Sequence, residues 1–130
     1  MSVAVDDDVR ALIEDANLAH IATILPDGAP HAVPVWIGMD GDRIVFITDP
    51  RSVKARNVAR DPRVALSIVP ADRPNVMAHV RGRVVATIDG EEGWAIVDRL
   101  SQQYLGTDYP LRTGRVAYVV EPDRAFAQAF

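Results

Sequence analysis

The 130-residue sequence has no cysteine, one lysine among fourteen basic residues, and only 6% aromatic residues. Without cysteine there can be no disulfide framework, thiolate nucleophile or thiolate metal site. His20, His31 and His79 lie at no spacing of the H-x-x-x-H kind, so no metal site is expected. The serines at 2, 52, 67 and 101 have no G-x-S-x-G setting, which leaves hydrolase chemistry without support. The spacings G-x-x-x-x-G-K-[ST] and G-x-G-x-x-G are also missing, so neither a triphosphate loop nor a Rossmann site is marked. No apolar run approaches the ~20 residues of a bilayer span, and no membrane partner is expected. The first residues, M-S-V-A-V-D-D-D, lack a basic region followed by an apolar one, so the expected location is cytoplasmic.

What is present fits one domain over residues 1–130, with no internal repeat and no Gly/Ser-rich linker. With 48% hydrophobic and 25% charged residues the composition is that of a globular chain with a real core. Residues 6–16 read as a short helix, because Asp6, Asp7 and Asp8 suit its N-terminus and Val9, Leu12, Ile13 and Ala16 repeat at three and four. Three strands follow at 18–25, 31–37 and 43–48, joined by the turns P-D-G-A-P and G-M-D-G-D as an antiparallel meander. Pro34 marks its strand as an edge or a bulge. A helix at 53–60 with Ser52 as N-cap precedes strands at 63–69 and 76–88, the second bent or bulged at Gly82. A helix then opens at Asp89 and runs to Leu105, stopped by Gly106, and a last strand occupies 115–122. Six strands joined by hairpin chemistry, with three helices, predict a mainly β (α+β) fold: a six-stranded antiparallel barrel with helices at its rims.

One stretch stands apart, T-D-P-R-S-V-K-A-R-N at 48–57. Arg51, Lys54, Arg56, Arg60 and Arg63 against Asp49 and Asp61 make residues 49–63 net +3, so in a chain of −4 the remainder is −7. A local basic cluster on an acidic protein points to an anion held at one place and argues against nucleic acid. Positive side chains at a helix start are poor helix design, since the unpaired N–H groups and the dipole are already positive there. An anion at that start would satisfy both. The alternative is that Asp49 and Asp61 pair with the bases and the helix is a solvated basic face. Arg81 and Arg83, on one face of their strand, read as a solvated face rather than a second anion patch. His20 reads as a barrel residue, His31 is open between barrel and site, and His79 is the best polar candidate near a reacting centre.

The segments A-T-I-L-P-D-G-A-P-H-A-V-P-V-W, F-I-T-D-P-R-S-V-K-A-R-N-V-A-R-D-P-R-V and H-V-R-G-R-V together resemble the pyridoxamine-phosphate-oxidase-like split-barrel flavoproteins. Within these the chain looks most like the small actinobacterial reductases that use deazaflavin, coenzyme F420. The resemblance implies an FMN-binding-like split β-barrel and an oxidoreductase that passes hydride to a small unsaturated substrate. It implies that Lys54, Arg51 and Ser52 hold the cofactor phosphate, that Thr48 and Asn57 line the phosphate and ribityl pocket, and that Val35 and Trp36 pass beside the ring. It further implies a homodimer in which Met77 and His79 cover the ring from the second subunit. Related chains often have an aromatic residue near Asn75 and Met77, which this chain lacks. Two alternatives keep the fold: FMN in the same phosphate site, or a non-catalytic carrier of flavin, deazaflavin or haem. No catalytic residue is assigned.

Overall fold

The computed structural model describes residues 2–130. Its order is α1 (Asp7–Glu14), β1 (Ala19–Ile24), β2 (Pro30–Val35), β3 (Ile37–Asp40), β4 (Arg43–Thr48), α2 (Val53–Arg60), β5 (Arg63–Ile68), β6 (Val76–Ile88), α3 (Gly90–Leu105) and β7 (Val116–Ala129). The seven strands form one sheet in the order β2-β1-β5-β6-β7-β4-β3, with every neighbouring pair antiparallel. The fold is thus mainly β, a curled half-barrel with three helices, and among the described residues no helix is long and apolar enough to cross a membrane.

Two expectations need correction. The expected strand at 31–37 ends at Val35, and after Trp36 a separate strand runs from Ile37 through Gly38, Met39 and Asp40 of the expected turn, so the count is seven rather than six, and the three-stranded meander does not form. β2 pairs only with β1 and β3 only with β4, which places the two on opposite edges of the sheet. Pro30 and Pro34 remove two N–H donors from β2, which suits an edge and not a central strand. At the break the hydroxyl of Tyr104 accepts from the Ile37 N–H at 3.1 Å and donates to the Asn17 carbonyl at 2.7 Å. Gln103 adds bonds of 3.1 Å to both the Ile37 and Ile13 carbonyls. Side chains of α3 therefore hold the backbone where it changes edges.

The last strand also runs to Ala129, well past the expected stop at Pro122. Pro122 falls opposite Gly82 at a register shift, with Arg81 paired to Arg124 and Asp123 as the extra residue of the bulge, a place where a strand tolerates proline. A Cβ on Gly82 would lie 2.1 Å from the Glu121 carbonyl oxygen, which is why glycine occupies the bulge.

The core has two parts. Inside the curl, Ile21, Ile37, Phe46, Leu66, Ile68 and Val80 pack with Val9, Leu12 and Ile13 of α1. Outside it, Ile96, Val97 and Leu100 of α3 pack on Val45, Ile47, Ala117 and Val119 of β4 and β7. Alternate residues of β4 therefore serve different cores, and Ile44 through Thr48 are all buried. Asp6 caps α1 by accepting from Val9 N–H at 3.0 Å, and Gly106 ends α3 in the left-handed region at φ 75°.

Tyr104→Phe keeps the ring but leaves the Ile37 amide and the Asn17 carbonyl without their hydroxyl, so unfolding by urea should show a loss of about 1–3 kcal/mol with unchanged far-ultraviolet dichroism.

Candidate functional site

A cleft of about 310 Å³ opens where the chain crosses between the sheet edges, lined by Leu18, Pro34, Val35, Trp36, Ile47, Thr48, Lys54, Tyr109 and Arg115. Four residues singled out in the sequence, Val35, Trp36, Thr48 and Lys54, meet here. Each arrives on a different local device. Val35 and Trp36 are the crossover itself, Thr48 is the buried last residue of β4, and Lys54 belongs to the first turn of α2.

The start of α2 agrees with its sequence. Ser52 is extended and its Oγ accepts from the Ala55 N–H at 3.2 Å, while lying 3.2 Å from Thr48 Oγ1. No acidic residue occupies the first turn, so nothing on the helix itself offsets its dipole. Around it the basic residues divide. Arg51 folds back on Asp49 through bonds of 3.2 and 2.9 Å, and Arg63 does the same on Asp61 at 3.0 and 2.8 Å. Arg60 is turned to Asn57 Oδ1 at 3.0 Å. Among the described residues Lys54 has no carboxylate partner. Burial first, and Arg115 second, hold its ammonium below the usual 10.5.

Arg115 was not anticipated, nor was Tyr109. The register of β4 with β7 pairs Thr48 with Val116, so Arg115 stands one residue beyond, at the level of Asp49. Its guanidinium lies 5.1 Å from the Tyr109 ring centroid and donates to the Gly114 carbonyl at 2.7 Å. The loop that carries these residues is pinned from α3: Asp98 accepts from the Tyr109 N–H at 3.0 Å and from Arg112 at 2.6 Å, and Arg112 lies 4.5 Å over Trp94. Those bonds hold the Asp98 carboxyl below its usual range, with Arg112 the largest cause. The opposite wall is aromatic. Trp36 stacks on Tyr104 with centroids 5.0 Å apart and meets Tyr109 edge-on at 6.0 Å.

Other sequence candidates lie elsewhere. Asn57 is buried under α2, where its amide donates to Thr23 Oγ1 at 3.0 Å. Met77 and His79 alternate with the buried Ala78 and Val80, so they leave the barrel on its outer face and do not line this cleft. His79 rests against Phe126 at 5.4 Å, and burial together with Arg81 and Arg124 lowers its pKa. Phe126 provides an aromatic side chain opposite His79 that the shorter reading of the last strand had hidden. His31 has a buried Nδ1 without a partner among the described residues.

The cleft therefore offers two cations with no salt bridge among the described residues, the Thr48 hydroxyl with that of Ser52 3.2 Å from it, and an apolar, aromatic wall. It can hold an anionic group at the helix start while a flat apolar body lies against Val35, Trp36 and Tyr109. Among the described residues no group of three His, Asp or Glu could hold a metal ion.

Comparison with known proteins agrees with this architecture. The family model described as Pyridoxamine 5'-phosphate oxidase matches residues 5–129. A solved structure named F420 reductase superposes with a TM-score of 0.80 at 29% identity, covering 94% of this chain and 98% of that one. A conserved hypothetical protein from Mycobacterium tuberculosis shares the fold, with a TM-score of 0.81 at 21% identity over 98% of this chain and 86% of that one. A pyridoxine/pyridoxamine 5'-phosphate oxidase from Kineococcus radiotolerans is 40% identical over 60 residues, which span 46% of this chain and only 27% of that relative.

If Lys54 is the cation that meets the anion, its charged form must be present for binding. The affinity for inorganic phosphate, read by calorimetry, should fall as pH rises through the lowered lysine pKa, below 10.5. Lys54→Arg does not titrate there and should flatten that fall, whereas Lys54→Ala should lose about 1.5–3 kcal/mol of binding at neutral pH. An identical alkaline fall in Lys54→Arg would assign it to another group.

Proposed function

The chain belongs to the pyridoxamine 5'-phosphate oxidase family, and from that premise we propose that it is an oxidoreductase that binds coenzyme F420 and reduces a small unsaturated organic substrate. The observation that carries this reading is the pair Lys54 and Arg115, without a salt bridge among the described residues and set in one cleft with the start of α2 and an aromatic wall. A phosphate on a flat redox cofactor suits both halves of that cleft. The likeness along almost the whole of a structure named F420 reductase favours the deazaflavin.

The residues present fit such a group. Lys54 and Arg115 would take the phosphate charge, Thr48 and Ser52 would donate to its oxygens, and Val35 and Trp36 would bound the ring. The hydride chemistry would be supplied by the bound deazaflavin. The protein's share is orientation and partial exclusion of water: α3 fixes the crossover through Tyr104, and Asp98 fixes the wall through Tyr109. No acid-base pair is needed for that share, which accords with the lack of an assigned one.

A second reading puts FMN in the same clamp. It is favoured by the family match and by the short, more identical stretch shared with the Kineococcus protein. The proposal also extends to a homodimer: Met77 and His79 leave the barrel on its outer face, from which a second copy could bring them over the ring. Light scattering should then give twice the 14.2 kDa chain mass, and a monomer at micromolar concentration would remove that part.

Fluorescence titration with F420 and FMN side by side separates the cofactor readings. F420 should bind and resist displacement by FMN, and reduced F420 on the protein should be reoxidised faster when electron-poor alkenes are added. Displacement by FMN would transfer the reading to FMN, and no acceleration over a broad acceptor panel would make the protein a carrier.

A further inference from the structure

Asp49 is a carboxylate next to two residues that line the cleft, and its position is tightly set. It follows Thr48, which lines the cleft, and stands level with Arg115, which lines it from the residue just before β7. Its Oδ1 accepts from the Arg51 backbone N–H at 2.8 Å and from Arg51 Nε at 3.2 Å, while its Oδ2 accepts from Arg51 Nη2 at 2.9 Å. Gly114, in the left-handed region at φ 71°, leaves room for this pair: a Cβ there would meet Asp49 Oδ2 at 3.1 Å and Arg51 Nη2 at 3.9 Å. The bonded arginine guanidinium is therefore held beside Gly114, the neighbour of Arg115, and neutralised by Asp49.

We propose that Asp49 is a specificity-determining residue that caps the charge of the anion the cleft accepts, so that a single phosphate ester is preferred to a polyphosphate. This rests on the reading of the cleft as the cofactor's anion site. With Asp49 ionised, Arg51 is cancelled and Lys54 and Arg115 face the ligand, a surplus of two positive charges. That surplus matches one phosphate group, which carries about −1 as a diester or about −1.5 to −2 as a monoester. A pyrophosphate brings more negative charge and meets the Asp49 carboxylate without a further cation to offset it. Without that carboxylate Arg51 is released and the surplus becomes three. The arrangement differs from the usual surface ion pair in that its carboxylate also feels Arg115, a cation that lines the cleft.

The test measures inorganic phosphate and pyrophosphate binding to the full chain by calorimetry at fixed ionic strength and neutral pH. Asp49→Asn should shift the affinity ratio towards pyrophosphate by about three- to tenfold, the effect of one added unit charge near a partly screened site. Asp49→Glu should restore the wild-type ratio, and the double variant Asp49→Asn with Arg51→Gln should move it back towards that value. Thermal melting checks the fold, and Asp49→Ser, which keeps an acceptor for the Arg51 amide, gives the same ratio test if the asparagine variant is unstable. Equal changes in both affinities would overturn the proposal and leave Asp49 as a turn-forming residue only. Binding that depends on Lys54 but not on Asp49 defeats this inference alone, whereas a wild-type chain that binds neither anion defeats the cleft reading and this inference with it.

Discussion

Between Val35 and Ile37 the backbone leaves one edge of the curled sheet for the other, and the groups exposed there are taken by Tyr104 and Gln103 of α3. A buried amide or carbonyl left open would cost about 1–3 kcal/mol, so the crossover needs those side chains. Much else depends on this. α3 must pack on β4 and β7 to deliver Tyr104, and the Val45, Ile47, Val97 and Leu100 cluster provides that packing. The Trp36 ring then stacks on Tyr104, and Val35 and Trp36 become one wall of a cleft whose other side is the start of α2. The fold's closure and the cleft's shape have a common cause.

The electrostatics of the cleft follow from pairing. Exposed pairs such as Arg51 with Asp49 and Arg63 with Asp61 stabilise the fold little, but they decide which cations remain free. Of the residues that line the cleft, Lys54 and Arg115 are the cations, brought together from positions about sixty residues apart by the antiparallel rung of Thr48 and Val116. Burial and mutual repulsion both disfavour the charged lysine, so an anion that relieves them gains more there than at an isolated surface lysine. A cleft that held and oriented a cofactor in this way would leave the bond-making chemistry to it.

Much of this was legible in the chain. α2 matches its reading residue for residue, because Ser52 and the Asp61-Pro62 stop are local signals. The bulge at Gly82 was legible for the same reason. The break at Trp36 was not: 31–37 has unbroken strand composition, and only the pairing of β2 and β3 at opposite edges of the curled sheet separates Val35 from Ile37. The run of β7 beyond Pro122 was hidden because a strand tolerates proline at a bulge, and that bulge is set by the pairing with β6. Arg115 and Tyr109 escaped because the rung that brings them to Thr48 is a long-range pairing with no mark in local sequence. The charge pattern pointed to the start of α2, whose Lys54 lines the cleft, but it could not say that Arg51 would turn to Asp49 or that Asn57 would bond to Thr23 beneath the helix.

The central claim is that Lys54 and Arg115 hold one and the same anionic group. A double-mutant cycle with Lys54→Ala and Arg115→Ala, read as F420 affinity by fluorescence, tests it most directly. The account predicts that each substitution weakens binding and that the two are coupled by about 0.5–3 kcal/mol, as for residues sharing one partner. Losses that simply add, or a substitution that leaves affinity unchanged, would contradict it.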